Sequence, residues 1–234
     1  MRNEMFFANA GLSRFSAYIA ESNYIDAPAR SVQTVAVPGR SGNLVYESDR
    51  FENFVLRARV YVTDRSQSNL SALKGFLNTK RGYQKYCETA FPNEYRLACF
   101  RSAFIVDRSD HNGAVMTLEF DCKPQRFLTA GERSITVTST VKLFNPTEYI
   151  ARPLIKVTGN GTLTIGDTIC TIAATESAVT IDSEIMDCYN GMIPKNDKVS
   201  FSTNDFPVLK AGSSVITLGS GITKIEIAPR WWTI

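Results

Sequence analysis

The chain has 234 residues, of which 44% are hydrophobic, 11% aromatic and 21% charged, with a formal net charge of +3. This is the composition of a globular protein and excludes collagen-like and disordered chains. The 26 basic and 23 acidic residues are interspersed, so no basic tract indicates nucleic-acid binding. No apolar run approaches the ~20 residues of a membrane span. Residues 1–15 lack the apolar core of a secretion signal, so we expect synthesis and folding in a cytoplasm.

The first third of the chain alternates with the period of a β-strand. From Phe54 to Val62 every second residue is apolar, which predicts a half-buried strand. One helix is predicted next, at about 66–80. Its apolar residues Leu70, Leu73, Phe76 and Leu77 fall on one side, Asp64 or Ser66 can cap its start, and Lys80 to Gly82 end it.

The remaining chain is predicted to be almost entirely β. Segments up to about 128 alternate again, with an Asn112-Gly113 turn that also carries His111. From about 131 onward, short strands rich in Thr, Ile and Val are separated by Gly, Asn, Asp or Pro. With no long helix to cover a single sheet, two sheets must cover each other. The fold class is therefore mainly β, with an N-terminal domain at 1–130 that is sandwich-like or split-barrel-like and carries the helix, and a β-sandwich at 131–234.

A search for chemistry finds no catalytic, cofactor or metal site. The segments "VPGRSGN" at 37–43 and "GNG" at 159–161 lack the lysine and the following helix of a phosphate loop, so both are interpreted as turns. The only histidine, His111, has no histidine partner for a metal and no nucleophile motif to serve. The five cysteines are irregularly spaced and odd in number, which favours reduced, mostly buried thiols.

One group of carboxylates could be interpreted in two ways. In "DSEIMD", strand alternation would put Asp182 and Glu184 on one face, with Asp187 nearby, as in a glycosidase pair. A solvated strand edge has the same pattern and is the preferred interpretation.

Aromatic side chains near the C-terminus offer another function. Trp231 and Trp232, with Tyr149 and Tyr189, could stack on sugar rings. Alternation along "KIEIAPRWW" favours a docked closing strand instead, with Ile225 and Ile227 in the core and the two tryptophans on opposite sides. We therefore expect both tryptophans to be substantially buried.

Six segments in the same order resemble the distal tail proteins, Dit, of long-tailed siphophages. They span nearly the whole chain and read "VPGRSGNLVYESDRFENFVLRARVYV" (37–62), "CKPQRF" (122–127), "FNPTEYIARPLIKVTGNG" (144–161), "TID" (180–182), "FPVLKAG" (206–212) and "PRWW" (229–232). The resemblance implies an N-terminal domain that assembles into a hexameric ring and a galectin-like sandwich on its outer rim. The chain resembles the short form of the family, which has no inserted carbohydrate-binding module.

The same resemblance implies the partners and the location. They are the tail-tube protein above the ring, a tail-associated or baseplate protein below it and the tape-measure protein in its lumen, at the tail tip of a virion assembled in the host cytoplasm. It implies turn-shaping roles for six residues: Asn145, Pro146, Arg152, Pro153, Gly159 and Gly161.

Three functions remain in competition. A structural hub without enzymatic activity is preferred, a carbohydrate-binding adhesion module of a virion or cell surface is the alternative, and a cell-wall hydrolase is third because no catalytic constellation was found. Neither nucleic acid nor membrane is expected as a partner. The Arg40 loop and the Arg57 and Arg59 face could contact neighbouring subunits or the tube, or could simply be solvated.

Overall fold

The computed structural model describes residues 3–110, 113–173 and 178–234. The chain divides into two compact units, Met1–Arg126 with Ile234 and Phe127–Thr233, whereas the sequence pattern placed the boundary after residue 130. Antiparallel strands dominate both units, and the described residues contain one α-helix. The expectation of a mainly β protein with a single helix is confirmed.

The first unit is built on a sheet that closes on itself. Seven strands follow one another in the order β2-β1-β7-β8-β10-β6-β3, and β9 pairs along β10. Just before β1, the carbonyl of Asn3 accepts a hydrogen bond from the Ile19 N–H of β3 at 2.9 Å, which links the two sides of the sheet. The strands are β1 (Met5–Phe7), β2 (Ala10–Gly11), β3 (Ala17–Ser22), β4 (Arg30–Ala36), β5 (Asn43–Phe51), β6 (Phe54–Val62), β7 (Gln84–Glu88), β8 (Glu94–Phe100), β9 (Arg108–Asp110) and β10 (Gly113–Leu128).

The core of this unit lies between the sheet and helix α1 (Gln67–Thr79). In β6 the even-numbered residues from Leu56 to Val62 are buried, which confirms the predicted alternation. The helix matches the predicted span. Its N-cap is Ser66, whose hydroxyl accepts a hydrogen bond from the Asn69 N–H, and its buried residues are Leu73 and Leu77.

The second unit is a sandwich of two antiparallel sheets. One has the strand order β11-β21-β13-β16-β17-β18 and the other β12-β20-β14-β15-β19, and both contribute to one core. Their strands are β11 (Ile135–Val137), β12 (Val141–Asn145), β13 (Leu154–Gly159), β14 (Gly161–Ile165), β15 (Thr168–Ile172), β16 (Val179–Asp182), β17 (Asp187–Asn190), β18 (Ile193–Pro194), β19 (Val199–Phe201), β20 (Gly212–Leu218) and β21 (Ile222–Ala228), followed by the short β22 (Trp232–Thr233).

Two hairpin turns of the sandwich interlock through glycines. Gly159 and Gly161 flank the turn between β13 and β14, and Gly219 and Gly221 flank the turn between β20 and β21. A methyl group on Gly159 would overlap the carbonyl oxygen of Gly221, and one on Gly221 would overlap the carbonyl oxygen of Asn160. Both glycines have positive φ, so a side chain there would also strain the backbone. The predicted turn-shaping role of Gly159 and Gly161 is confirmed.

The sequence interpretation was wrong at two places and fell outside the described residues at a third. Strand β16 ends at Asp182 and a turn follows, so Asp182 and Glu184 do not share a strand face. Residues 101–107, which lie in the part of the chain predicted to be almost entirely β, are not in a strand. His111 and Asn112 lie outside the described residues.

Candidate functional site

Asp182, the buried member of the proposed carboxylate group, forms an internal ion pair. Its two oxygens accept hydrogen bonds from the two terminal nitrogens of Arg230 at 2.5 and 3.0 Å, while Glu184 is exposed in the following turn. Burial alone would raise the pKa of Asp182, but the hydrogen bonds and charge of Arg230 outweigh it and hold the pKa below its usual range. Asp182 is therefore already partnered and ionised, which does not suit a glycosidase acid.

The thiols are equally unsuited to chemistry. All five cysteines are free, and Cys122, Cys170 and Cys188 are buried. Burial raises the pKa of each of these three thiols to about 12, so they stay protonated at neutral pH. Among the described residues no three His, Cys, Asp or Glu side chains cluster as metal ligands.

The C-terminal tail, residues 229–233, is docked on its own unit. Trp231 is 5% exposed in the sandwich core, and its carbonyl accepts a hydrogen bond from the Leu128 N–H at 2.9 Å. The Arg230 N–H donates to the carbonyl of Gly131 at 2.8 Å, and a methyl group on Gly131 would overlap the Trp231 nitrogen. The prediction of a buried tryptophan is confirmed at Trp231.

Trp232 is held differently. It is half-buried rather than buried, its ring stacks on Tyr149 at 4.4 Å between centroids, and its indole N–H donates to the Ile150 carbonyl at 2.9 Å. The stacked faces of Tyr149 and Trp232 therefore cover each other, which leaves less aromatic surface for a sugar ring. Tyr189, the remaining platform candidate, is half-buried in β17.

The "NPTEYIARP" segment contains one side chain that shapes its turn. Asn145 is 2% exposed, its amide nitrogen donates to the carbonyl of Tyr149 at 2.9 Å, and its amide oxygen accepts from both the N–H and the hydroxyl of Thr147. Arg152, assigned a similar role by resemblance, is exposed. The Asn145 role is confirmed, whereas no contact of the described residues gives Arg152 one.

An exposed hairpin of the first unit carries several uncovered apolar side chains. Strands β4 and β5 form a two-stranded sheet of their own, separate from the large sheet of the first unit. We call residues 30–51 the arm. At its tip Pro38 and Gly39 occupy the centre of a turn, with the Arg40 N–H bonded to the Val37 carbonyl at 3.2 Å and Gly39 at a φ of 80°. The predicted turn at "VPGRSGN" is confirmed.

Both faces of the arm carry exposed apolar side chains. Residues directly opposite in an antiparallel pair share a face. Val35 pairs with Leu44, and Tyr46 lies on the same face two residues further on. The opposite face carries Val32 and Val45. The exposed fractions are Val32 43%, Val35 56%, Leu44 47%, Val45 59% and Tyr46 68%.

An isolated two-stranded hairpin is at best marginally stable in water. Exposed apolar surface concentrated in one element typically marks a protein contact. The arm is thus the best candidate for an interaction surface in the first unit.

The charged residues that the sequence suggested as contacts, Arg57, Arg59 and Arg40, are weaker candidates for an interaction surface. Arg57 bonds Glu119 at 2.8 Å and Arg59 lies 3.8 Å from Glu21, all with side chains at least 41% exposed. Such exposed pairs contribute ~0–1 kcal/mol each and leave a nearly neutral face. Arg40 is exposed at the arm tip.

The second unit has an open cleft of about 400 Å³ at one end of its five-stranded sheet. Asp167, Asp205 and Lys210 line it together with Thr168 and Ser213. Asp167 accepts a hydrogen bond from the Lys210 ammonium at 2.6 Å, and both side chains are well exposed. The cleft therefore presents acceptors and a donor side by side.

Comparison with known proteins finds similar folds among solved structures of phage proteins. No family model matches the chain, and no curated protein matches it. Among solved structures, the Dit protein of phage SPP1, a paradigm of the hub adsorption apparatus in phages that infect Gram-positive bacteria, matches with a TM-score of 0.75 at 11% identity, covering 100% of both chains. The baseplate of phage p2 in its activated conformation with Sr matches with a TM-score of 0.50 at 7% identity, covering 96% of this chain and 97% of the other.

At these identities the comparisons show the fold. The chain has the fold of the SPP1 Dit protein, so the resemblance to distal tail proteins is confirmed at the level of structure. No described helix is long and apolar enough to cross a lipid bilayer.

Proposed function

We propose that this chain is a structural hub protein of a phage tail tip or baseplate, without enzymatic activity. The observation that carries the proposal is the match over the full length of both chains to the SPP1 Dit protein. The internal pairing of Asp182 with Arg230 and the protonated buried thiols support a structural rather than a catalytic role.

We infer further that the protein forms a homohexameric ring through its N-terminal domain. The arm supports this inference, because apolar side chains on both of its faces are best buried against a second copy of the chain. A closed ring uses the same heterologous contact at every interface. Each contact should bury more than ~1,000 Å² to be stable, so the arm would be one part of a larger interface.

The ring would connect the tail-tube protein to the tail-associated baseplate protein, with the tape-measure protein in its lumen, and would act at the tail tip of the virion after assembly in the host cytoplasm. In this arrangement residues 1–130 build the ring and the galectin-like sandwich of 131–234 lies on its rim. The nearly neutral, internally paired Arg57 and Arg59 face agrees with protein rather than nucleic-acid partners.

Light scattering and negative-stain microscopy of the purified protein test the proposal. Six-fold rings with an open channel are expected. A monomer at all concentrations, with and without the co-expressed tail-tube protein, would overturn the ring and with it the hub role.

The cleft of the second unit favours a second candidate function, carbohydrate recognition. A carboxylate and an ammonium 2.6 Å apart can accept from and donate to neighbouring hydroxyls of one sugar ring. A glycan array probed with wild type and with Asp167→Asn tests this candidate. The matched control is Asp197→Asn, which breaks a similar exposed pair with Lys198 that does not line the cleft. Binding lost only in Asp167→Asn would support the candidate, and an array without signal would exclude it.

A further inference from the structure

A positively charged side chain lies fully buried in the first unit. Arg96, in β8, is 0% exposed and is the largest fully buried side chain among the described residues. Its Nε and one terminal nitrogen donate to the carbonyl of Tyr24 at 3.1 and 2.7 Å. The same terminal nitrogen donates to the carbonyl of Asp26 at 3.1 Å, and the other donates to the carbonyl of Pro124 at 3.2 Å. Each of these four hydrogen bonds ends on a main-chain carbonyl.

Aromatic rings complete the environment of this guanidinium. It lies 4.5 Å from the ring centroid of Phe54 and 5.2 Å from that of Tyr24, which itself stacks on Phe91. Burial lowers the pKa of Arg96, yet an arginine remains charged in proteins. A buried charge whose hydrogen bonds go to carbonyls is costly unless its geometry is well satisfied, and here the planar fork reaches three carbonyls at once.

The groups that Arg96 holds flank the two ends of the arm. Tyr24 and Asp26 precede β4, and Phe54 begins β6 after the short connection that follows β5. Between these points the Glu52 N–H donates to the Ala29 carbonyl at 2.9 Å and closes the base of the arm. The third carbonyl, from Pro124, belongs to β10 and ties both ends to the sheet.

We propose that Arg96 is the positioning residue that fixes the direction of the arm before assembly. This inference rests on the proposed function, because it concerns the element expected to contact a second copy. The arm itself makes a separate two-stranded sheet, so its direction depends on how its two ends are held. One guanidinium therefore holds the segment before the arm by hydrogen bonds and contacts the ring of Phe54 after it, which leaves less freedom to be lost when a neighbour binds and favours association.

Distance measurements between spin labels by double electron–electron resonance test the inference in the unassembled protein. One label is placed at Ser41 near the arm tip and the other at Ala72 on helix α1; both positions are exposed. Cys87 and Cys99, which are partly accessible, are replaced by serine in this background. We expect a single narrow distance peak for the parent protein. A broad distribution in the parent would overturn the inference without any further variant.

Arg96→Met keeps much of the side-chain length but removes the fork, and it is expected to abolish the narrow peak. Arg96→Lys keeps the charge without the planar fork and is expected to broaden the peak. The control is Arg101→Met, an exposed arginine with an ion pair to Asp121, which should leave the peak unchanged. If the buried position does not tolerate methionine or lysine, Phe54→Leu at a half-buried site removes the ring beneath the guanidinium and should also broaden the peak.

Circular dichroism separates loss of the Arg96 contacts from loss of the fold. A variant with parental unfolding behaviour and a parental peak would overturn the inference. Ring formation by microscopy is measured on the same variants. If Arg96→Met broadens the peak but the protein never forms rings, the positioning role of Arg96 stands and the proposed function is refuted. If rings form and Arg96→Met leaves the peak unchanged, the proposed function stands and the positioning role is refuted.

Discussion

The tail and the arm are both rich in apolar side chains, but they are held in opposite ways. In the tail, Trp231 is 5% exposed and its carbonyl accepts a main-chain hydrogen bond from the second unit. The guanidinium and the N–H of Arg230 and the indole N–H of Trp232 also bond to residues of the second unit. In the arm, five apolar side chains are 43–68% exposed and the two strands pair with each other in a separate sheet. The number of large side chains in a segment therefore does not identify a binding surface. What distinguishes the two segments is whether the chain itself supplies partners for them.

The largest difference should appear when the central side chain of each segment is truncated. Trp231→Ala is expected to lower the free energy of unfolding by ~3–5 kcal/mol, because it leaves a cavity in the sandwich core. Tyr46→Ala in the arm should change it by less than ~0.5 kcal/mol. Urea unfolding of both variants measures this. Deleting residues 231–234 is expected to make the chain insoluble. Equal losses for the two point variants would contradict the contrast.

Removal of Arg230 should have the next largest effect, since it leaves the buried Asp182 carboxylate without its cationic partner and with main-chain donors such as the Glu184 N–H only. Arg230→Ala is expected to cost ~3 kcal/mol of unfolding free energy. The pair also makes stability depend on pH. Because the folded-state pKa of Asp182 lies below that of the unfolded chain, its contribution is complete at neutral pH and is lost as pH falls below about 4.

Acid titration of unfolding, followed by circular dichroism, checks the pH effect. Asp182→Asn should be less sensitive than the parent between about pH 4 and 2, because the titrating carboxylate is gone. A parental pH profile in Asp182→Asn would show that other carboxylates control acid unfolding.

A smaller loss is expected from the half-buried end of the tail. Trp232→Phe keeps the stacking on Tyr149 but removes the hydrogen bond to the Ile150 carbonyl. We expect a loss of ~1 kcal/mol in the same urea experiment. Because the ring remains, a loss as large as that of Trp231→Ala would mean that the hydrogen bond, rather than core burial, holds the tail.

The smallest effect on stability, with the largest effect on assembly, is expected in the arm. Replacing Val35, Leu44 and Tyr46 together by serine should leave the unfolding free energy of the isolated chain nearly unchanged while abolishing rings. Ile169→Ser, at an exposed position of the five-stranded sheet, is the matched control and should assemble normally. Intact rings from the triple variant would remove the arm from the interface.

Local patterns predicted most of the architecture. Alternation identified β6, the cap at Ser66 and the apolar spacing identified α1, and the Pro-Gly pair identified the turn at the arm tip. These features depend on residues close together in sequence. The same periodicity argument failed for Glu184, because a strand that ends after Asp182 looks, in sequence, like one that continues.

Long-range pairings could not be predicted. Arg96 stands beside Tyr95 in an apparently alternating segment, and nothing local indicates that its guanidinium is buried against carbonyls at residues 24, 26 and 124. The partnership of Asp182 with Arg230 likewise joins segments 48 residues apart. The exposure of the arm was also invisible, since an apolar strand covered by its own chain and one left for a neighbour have the same composition.

The interlocked glycines of the sandwich have a consequence for how this sequence can change over time. The carbonyl of Gly221 occupies the space that a side chain on Gly159 would need, and the carbonyl of Asn160 occupies the space that a side chain on Gly221 would need, so neither glycine can gain a side chain unless the other turn changes with it. The two turns should therefore vary as a linked pair among related chains. At the tip of the arm Gly39 and Gly42 also have positive φ but no neighbouring segment close to them, so a side chain there meets only backbone strain and that turn should vary independently.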